Sequence, residues 1–281
     1  MGRATGERVT HPGNGPTRMS VRYYDGPHAQ DRPWFRSWAA LPWACVGLTI
    51  FGQILWILSG SVRDGLTIGT VVTFALASFI HAWQNRGAWW ALSYFAIAAG
   101  IGLIAESIGT GTGFPFGTYD YTDTLGLKLF SVPVVIPLAW AMMAYPVLLA
   151  ARTLSHNRLA AIAMGAWLLV AWDFFLDPQM VSEGHWVWAY PTPSLPGIAD
   201  IPITNFLGWF ATAVVIMGVL SLLPETTAND AVPTVLLTWV FASNILANIV
   251  FFDRPGVALW GGIGMGVIVI PWLIKTWRLR S

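Results

Sequence analysis

Eight runs of apolar residues, each close to twenty residues long, follow one another along most of the chain. They cover residues 38–60, 66–83, 88–109, 132–151, 158–177, 203–223, 232–252 and 257–275. Because a helix needs about 20 apolar residues to cross the hydrocarbon core of a bilayer, the pattern predicts eight transmembrane helices. We therefore expect an all-α, polytopic membrane helix bundle. Two connections are long, residues 110–131 and 178–202, and long loops in a tightly connected bundle often carry function.

The N-terminal segment has a different character from the rest of the chain. Residues 1–36 are polar and rich in Gly, Pro and Arg, without the apolar stretch of a signal peptide. We expect a disordered basic tail over residues 1–36 and a single transmembrane helical domain over 37–281. The predicted segments on the side of this tail carry twelve Lys and Arg residues, and those on the other side carry three. This bias predicts a multi-pass protein of the cell membrane with both termini cytoplasmic.

Composition narrows the possible functions. Hydrophobic residues make up 55% of the chain and charged residues only 10%, well below the share in soluble domains. The net charge of +1 gives no reason to expect a nucleic-acid partner, and the single Cys45 excludes an internal disulfide. Zinc-protease, phosphate-loop and nucleophile-elbow motifs are missing, so we predict neither a metal nor a cofactor.

Acidic residues, whose burial in a membrane costs free energy, lie mainly at the predicted outer end of the bundle. Glu106 lies near the end of the third span, Asp173 and Asp177 near the end of the fifth, and Asp120 in the first long loop. Ionisable residues at membrane depth usually face a cavity or the bundle interior. Asp173 and Asp177, four residues apart, share one helix face, where two carboxyl groups can hold one proton for general acid catalysis. We predict these four acids as catalytic, although Asp177 followed by Pro178 is also typical of a helix end.

Aromatic and amide side chains lie beside these acids in the sequence. Aromatic faces suit a long apolar substrate and can stabilise a carbocation, although many aromatic residues at span ends also form the interfacial belt. The amides have simpler alternatives, a helix cap for Asn205 and an interhelical hydrogen bond for Asn248. His81 stands alone at the opposite end and is interpreted as interfacial. The predicted substrate-binding residues are Phe114, Phe116, Tyr119, Tyr121, Trp140, Trp172, Trp186, Trp188, Asn205, Trp209 and Asn248.

Four motifs occur in order along the chain: Glu106-x-x-Gly-Thr-x-Thr-Gly-x-Pro-Phe-Gly-x-Tyr-x-Tyr, Val132-Pro-x-x-Ile-Pro-Leu-Ala-Trp, Asp173-x-x-x-Asp-Pro-x-Met-Val and Ile201-Pro-x-x-Asn-Phe-x-Gly-Trp. Over roughly residues 90–275 they resemble the membrane carotenoid biosynthesis family, which includes the carotenoid 1,2-hydratases. One segment departs from the family pattern. Residues 191–200 stand where a compact Gly-Tyr-Tyr-Gly-type segment is expected, so this loop is predicted to influence which carotenoid is used.

The resemblance implies a hydro-lyase that needs no cofactor. It would hydrate the terminal 1,2 double bond of an acyclic carotenoid end group, on lycopene, γ-carotene or a C50 carotenoid, beside other carotenoid enzymes in the lipid bilayer. Our hypothesis is that Asp173 or Glu106 protonates C2, aromatic rings hold the cation at C1, and Asp177 or Asp120 positions the water. A carotenoid cyclase or isomerase and a non-catalytic carotenoid-binding protein remain alternatives. A proton-coupled transporter is disfavoured because the acids gather at one end.

Overall fold

The helix bundle is described by a computed structural model that covers residues 33–59 and 63–278, with side chains from residue 38 onward. Within these residues the chain forms eight helices that are long and apolar enough to cross a membrane, which confirms the predicted all-α, multi-pass bundle. The orientation of the termini stays a prediction. The helices are α1 Pro33–Leu58, α2 Arg63–Arg86, α3 Ala88–Thr112, α4 Val135–Leu154, α5 Arg158–Ser182, α6 Ile203–Leu220, α7 Ala231–Val250 and α8 Pro255–Arg278.

The structure differs from the prediction at the end of helix α5, whereas the predicted division into a tail and a single domain stays a prediction. The chain divides into two units, Met1–Trp38 and Ala39–Ser281, and the bundle described below belongs to the second. The tail predicted over residues 1–36 lies outside the described residues as far as residue 32. Helix α5 continues through Pro178 to Ser182, so Asp177 lies inside the helix and does not mark its end.

Helix α4 is the centre of the bundle. It packs against α2, α3, α5, α6, α7 and α8, and its residues 139–151 are buried without interruption. A helix that is apolar on all sides is expected in such a position. Because α4 carries Trp140 near its beginning and Tyr145 near its middle, it contributes one aromatic side chain to each of the two polar clusters described below.

The two long loops are joined by a short antiparallel ribbon. Strand β1 (Tyr119–Tyr121) pairs with β4 (Trp186–Trp188), while β2 (Lys128–Leu129) pairs with β3 (Val132–Pro133). Tyr119 lies opposite Trp188 and Tyr121 opposite Trp186. Alternate side chains of a strand point to opposite faces, so these four rings share one face of the ribbon. We call the end of the bundle that carries these loops the loop end.

Candidate active site

A buried carboxylate with three hydrogen-bond donors forms one half of the site. Glu106 on α3 is 3% exposed. Its Oε2 accepts hydrogen bonds from the hydroxyls of Tyr119 (2.5 Å) and Tyr121 (2.8 Å), and its Oε1 accepts one from Trp140 Nε1 (3.1 Å). Burial, and then the neighbouring Glu106, raise the pKa of both tyrosines, so each keeps the proton that it donates. Three donors suit an ionised carboxylate, which can only accept.

Two glycines on α3 make this arrangement possible. A Cβ atom on Gly102 would lie only 2.6 Å from Cδ1 of Trp140. A Cβ atom on Gly109 would lie 2.7 Å from Phe116 Cδ2 and 2.9 Å from the hydroxyl oxygen of Tyr119. The absence of side chains at these positions therefore lets the indole and the phenol approach the helix that carries the acid.

A pair of aspartyl groups forms the other half of the site. Asp173 and Asp177 lie one turn apart on α5, and both are buried. The amide nitrogen of Asn205 on α6 donates to Oδ2 of Asp173 at 2.9 Å and to Oδ2 of Asp177. Asn205 therefore bridges the two acids, while the N-cap of α6 is Pro202. Oδ1 of Asp173 is buried and has no hydrogen-bond partner among the described residues.

A small cavity separates the two halves. It has a volume of about 20 Å³, and Glu106 lines it together with Asp177 and Asn205. A polar cavity of this size can hold about one water molecule. We call it the acid cavity. Among the described residues, no group of three or more His, Cys, Asp or Glu side chains is arranged to hold a metal ion. The remaining wall consists of Phe116, Tyr119, Tyr121, Ile136, Ala139, Trp140, Leu176, Trp186, Trp188 and Trp209.

Most of the residues predicted for the site do meet at this cavity. Three of the four predicted acids are there, since Glu106 and Asp177 line it and Asp173 joins through the shared amide. Trp172 lies at the border, because its ring packs edge-on against Trp209 at 5.9 Å between centroids. The other predicted residues at the cavity are Phe116, Tyr119, Tyr121, Trp140, Trp186, Trp188, Asn205 and Trp209.

Three other predicted residues do not line the acid cavity. Asp120 is exposed on the opposite face of β1, because side chains alternate along a strand. Phe114 is 74% exposed. Asn248 is buried on α7, where its amide nitrogen donates to the carbonyl oxygen of Asn244 on the same helix. This bond is not the interhelical one that the alternative interpretation expected, and Oδ1 of Asn248 has no partner among the described residues.

A second polar cluster, at the opposite end, was missed in the sequence. His81 is only 3% exposed, so its interpretation as an interfacial residue was wrong. Its Nδ1 lies 2.8 Å from the hydroxyl of Tyr145 and its Nε2 lies 3.0 Å from the carbonyl oxygen of Asn229. Arg86 donates to the same Tyr145 hydroxyl and forms an ion pair with Asp230 at 2.7 Å. We call His81, Arg86, Tyr145 and Asp230 the His81 cluster.

Comparison with known proteins indicates the same family as the four sequence motifs. The sequence model of a family described as carotenoid biosynthesis protein matches residues 66–271. A curated relative, the bisanhydrobacterioruberin hydratase of Haloarcula japonica, is 28% identical over 124 residues. The aligned region covers 40% of this chain and 41% of that relative, less than half of either. No solved structure matches. Because the family match includes both halves of the acid cavity and most of the bundle, the chain belongs to the carotenoid biosynthesis protein family.

Proposed function

We propose that this protein is a carotenoid 1,2-hydratase of the cell membrane that uses no cofactor. It adds water across the terminal 1,2 double bond of an acyclic end group and produces a tertiary alcohol. The observation that carries the proposal is the acid cavity, in which an amide-bridged pair of buried aspartyl groups faces a three-donor carboxylate across the space of one water. Family membership and the name of the Haloarcula japonica relative support a carotenoid substrate and a hydration reaction.

The aspartyl pair is the source of the proton. Two adjacent buried carboxylates with one amide between them would repel each other without compensation, so the pair holds one proton. Asp177 lines the cavity while Asp173 lies behind it, with an oxygen that has no partner among the described residues. Asp177 therefore presents the proton and Asp173 supports it, whereas the sequence hypothesis had Asp173 or Glu106 as the donor.

The reaction then needs three proton transfers and one addition. Asp177 protonates C2, and the double bond becomes a tertiary cation at C1. The Glu106 carboxylate and the stacked rings of Trp140 and Trp209, 3.9 Å apart, stabilise this positive charge. The water oxygen bonds to C1, its extra proton passes to Glu106, and that proton returns to the aspartyl pair. One water is consumed, nothing is oxidised or reduced, and the carboxyl groups end as they began.

Product analysis tests this function. The protein is produced in a host that makes lycopene, and in parallel hosts that make γ-carotene or a C50 carotenoid, with growth in H₂¹⁸O. We expect a pigment heavier by one labelled water. A new pigment of unchanged mass would indicate a cyclase or isomerase, and a bound but unaltered carotenoid would indicate a binding protein. Either result would overturn the proposal.

A further inference from the structure

A second and larger cavity lies in the same half of the bundle. It has a volume of about 380 Å³ and is lined by α1, α2, α5 and α7, together with Met142 of α4. It follows residues 239–251, about 18 Å of helix at 1.5 Å per residue. Leu58 and Leu246 on its rim are 75% and 57% exposed, so it opens on the apolar surface that lipid covers. We call it the α1–α7 groove.

Several polar side chains in its wall are already hydrogen-bonded. Trp239 Nε1 donates to Gln53 Oε1 at 2.6 Å, and Trp56 Nε1 donates to Thr67 Oγ1 at 3.0 Å. Asn244 donates its amide to a backbone carbonyl of its own helix. These bonds join α1 to α7 and to α2 beside the groove, and they leave a mainly apolar surface for a ligand. A groove of this size and lining suits a hydrocarbon ligand.

A single layer of side chains separates the groove from the acid cavity. Leu176 lines both spaces. Trp172, one turn earlier on α5, lines the groove and packs against Trp209, which lines the acid cavity. The acid cavity itself, at about 20 Å³, has no room for the branched end of an isoprenoid chain. An end group can reach Asp177 only if a wall residue moves, and Leu176 is the wall residue that also faces the groove.

We propose that the α1–α7 groove binds the polyene chain of the substrate, and that the end group enters the acid cavity by displacing Leu176. This inference rests on the proposed function. The occupant is the substrate, since the inner wall of the groove is also the wall of the candidate active site. The polyene lies along α7 with its far part in the lipid, and the 1,2 double bond lies beside Asp177.

Groove-filling substitutions test the assignment. Ala247→Phe places a ring in the groove, because Ala247 lines it and is 9% exposed. Val71→Phe does the same from the opposite wall at a less buried position. Ala211→Phe, at an exposed alanine of α6, is the matched control. The purified proteins are assayed with a full-length acyclic carotenoid and with a short acyclic isoprenoid hydrocarbon that has the same terminal double bond.

We expect the groove variants to lose about tenfold or more in kcat/KM for the carotenoid, the scale on which a hydrocarbon pocket discriminates. Their conversion of the short hydrocarbon should stay near the wild-type rate. Ala211→Phe should convert both the carotenoid and the short hydrocarbon at the wild-type rate. Wild-type conversion of the carotenoid by both groove variants would overturn the proposal, as would an equal loss of both substrates in a folded variant.

A binding measurement separates this proposal from the proposed function. Quenching of tryptophan fluorescence by a bound polyene reports affinity without turnover. If the wild type binds the carotenoid without converting it and the groove variants bind it weakly, the groove assignment stands and the hydratase function is wrong. If the groove variants expel a co-purified phospholipid while polyene affinity is unchanged, the groove is a lipid site and the assignment is wrong.

Discussion

The two polar clusters at opposite ends of the bundle differ in how their donors and acceptors are matched. In the His81 cluster, Arg86 donates to the Tyr145 oxygen, the Tyr145 hydroxyl donates to His81 Nδ1, and His81 Nε2 donates to the carbonyl oxygen of Asn229. Arg86 also has its counter-ion, Asp230. Within the described residues, no buried side-chain nitrogen or oxygen atom of the His81 cluster lacks a hydrogen-bond partner.

In the acid cavity the hydrogen-bond donors and acceptors are not matched in this way. Two carboxyl groups line it, a third (Asp173) lies behind them, and its wall holds no basic residue. One oxygen of Asp173 has no partner among the described residues. Buried polar networks that are fully satisfied rigidify a fold, whereas a buried group that lacks a partner is costly and needs an explanation. This difference supports the proposal that the His81 cluster has a structural role and the acid cavity a chemical one.

The largest effect should come from removing the proton of the aspartyl pair. Asp177→Asn keeps the size of the side chain but cannot donate an acidic proton, so conversion of an acyclic carotenoid should fall by about 10²–10⁴-fold. The melting temperature should hold or rise, because a buried acid is replaced by a neutral amide. Pigment conversion by purified protein, with the melting curve measured in the same detergent, checks both. Near wild-type turnover would show that Asp177 is not the donor.

The opposite pattern is expected at the His81 cluster. Arg86→Met removes a side chain that is 2% exposed, and it leaves Asp230 without its counter-ion and Tyr145 without one of its two hydrogen-bond partners. This loss should lower the free energy of unfolding by about 2–3 kcal/mol. Conversion per folded molecule should stay near the wild-type value. The control is Arg63→Met, which breaks a more exposed pair with Glu183 and should cost less than about 1 kcal/mol. Loss of turnover in a well-folded Arg86→Met protein would contradict the structural role.

A smaller loss of carotenoid conversion should follow when the Tyr119 hydroxyl, one of the three hydrogen-bond donors to Glu106, is displaced. A methyl group on Gly109 would collide with the Tyr119 hydroxyl, so Gly109→Ala should weaken that hydrogen bond and reduce conversion about tenfold. Gly111→Ala is the matched control on the same helix, since nothing lies within 4 Å of a Cβ atom there. Both variants should fold, because alanine favours the helix. Equal activity of the two variants would mean that the contact of Tyr119 with Glu106 is not needed for catalysis.

The smallest effect is expected at Asp120. This carboxyl group is exposed on the face of β1 that points away from the cavity, so Asp120→Asn should change conversion less than about twofold and stability by less than about 0.5 kcal/mol. The same assay and melting curve measure it. A loss comparable to that of Asp177→Asn would place the reacting carbon atoms on the other face of the ribbon.

The helices and the acids were predictable from the sequence because both signals are local. An apolar run of about twenty residues and a carboxyl group inside it can be recognised without knowing any contact. The end of α5 was predicted five residues early, because Pro178 removes only one backbone donor and the helix continues past it. The position of Asp120 could have been inferred from Tyr119-Asp120-Tyr121, whose alternation in a strand separates the acid from the two phenols.

The His81 cluster could not be predicted, because it depends on contacts between residues that are far apart in the sequence. The bond between His81 and Tyr145 joins residues 64 apart, and the bond between His81 and Asn229 joins residues 148 apart. No periodicity in the sequence reports such pairings. Leu176 was missed for a different reason, since a leucine in an apolar helix gives no signal that it borders two cavities.

The most direct test of the central claim, that the acid cavity adds water to a carotenoid, is double isotope labelling with purified protein. Wild type and Asp177→Asn are incubated with an acyclic carotenoid in D₂¹⁸O, and the labels in the product are located by mass spectrometry. We predict that the wild type gives an alcohol with one deuterium at C2 and one ¹⁸O at C1, and that Asp177→Asn gives almost none. A product with deuterium but no ¹⁸O, or doubly labelled alcohol from Asp177→Asn at the wild-type rate, would contradict the claim.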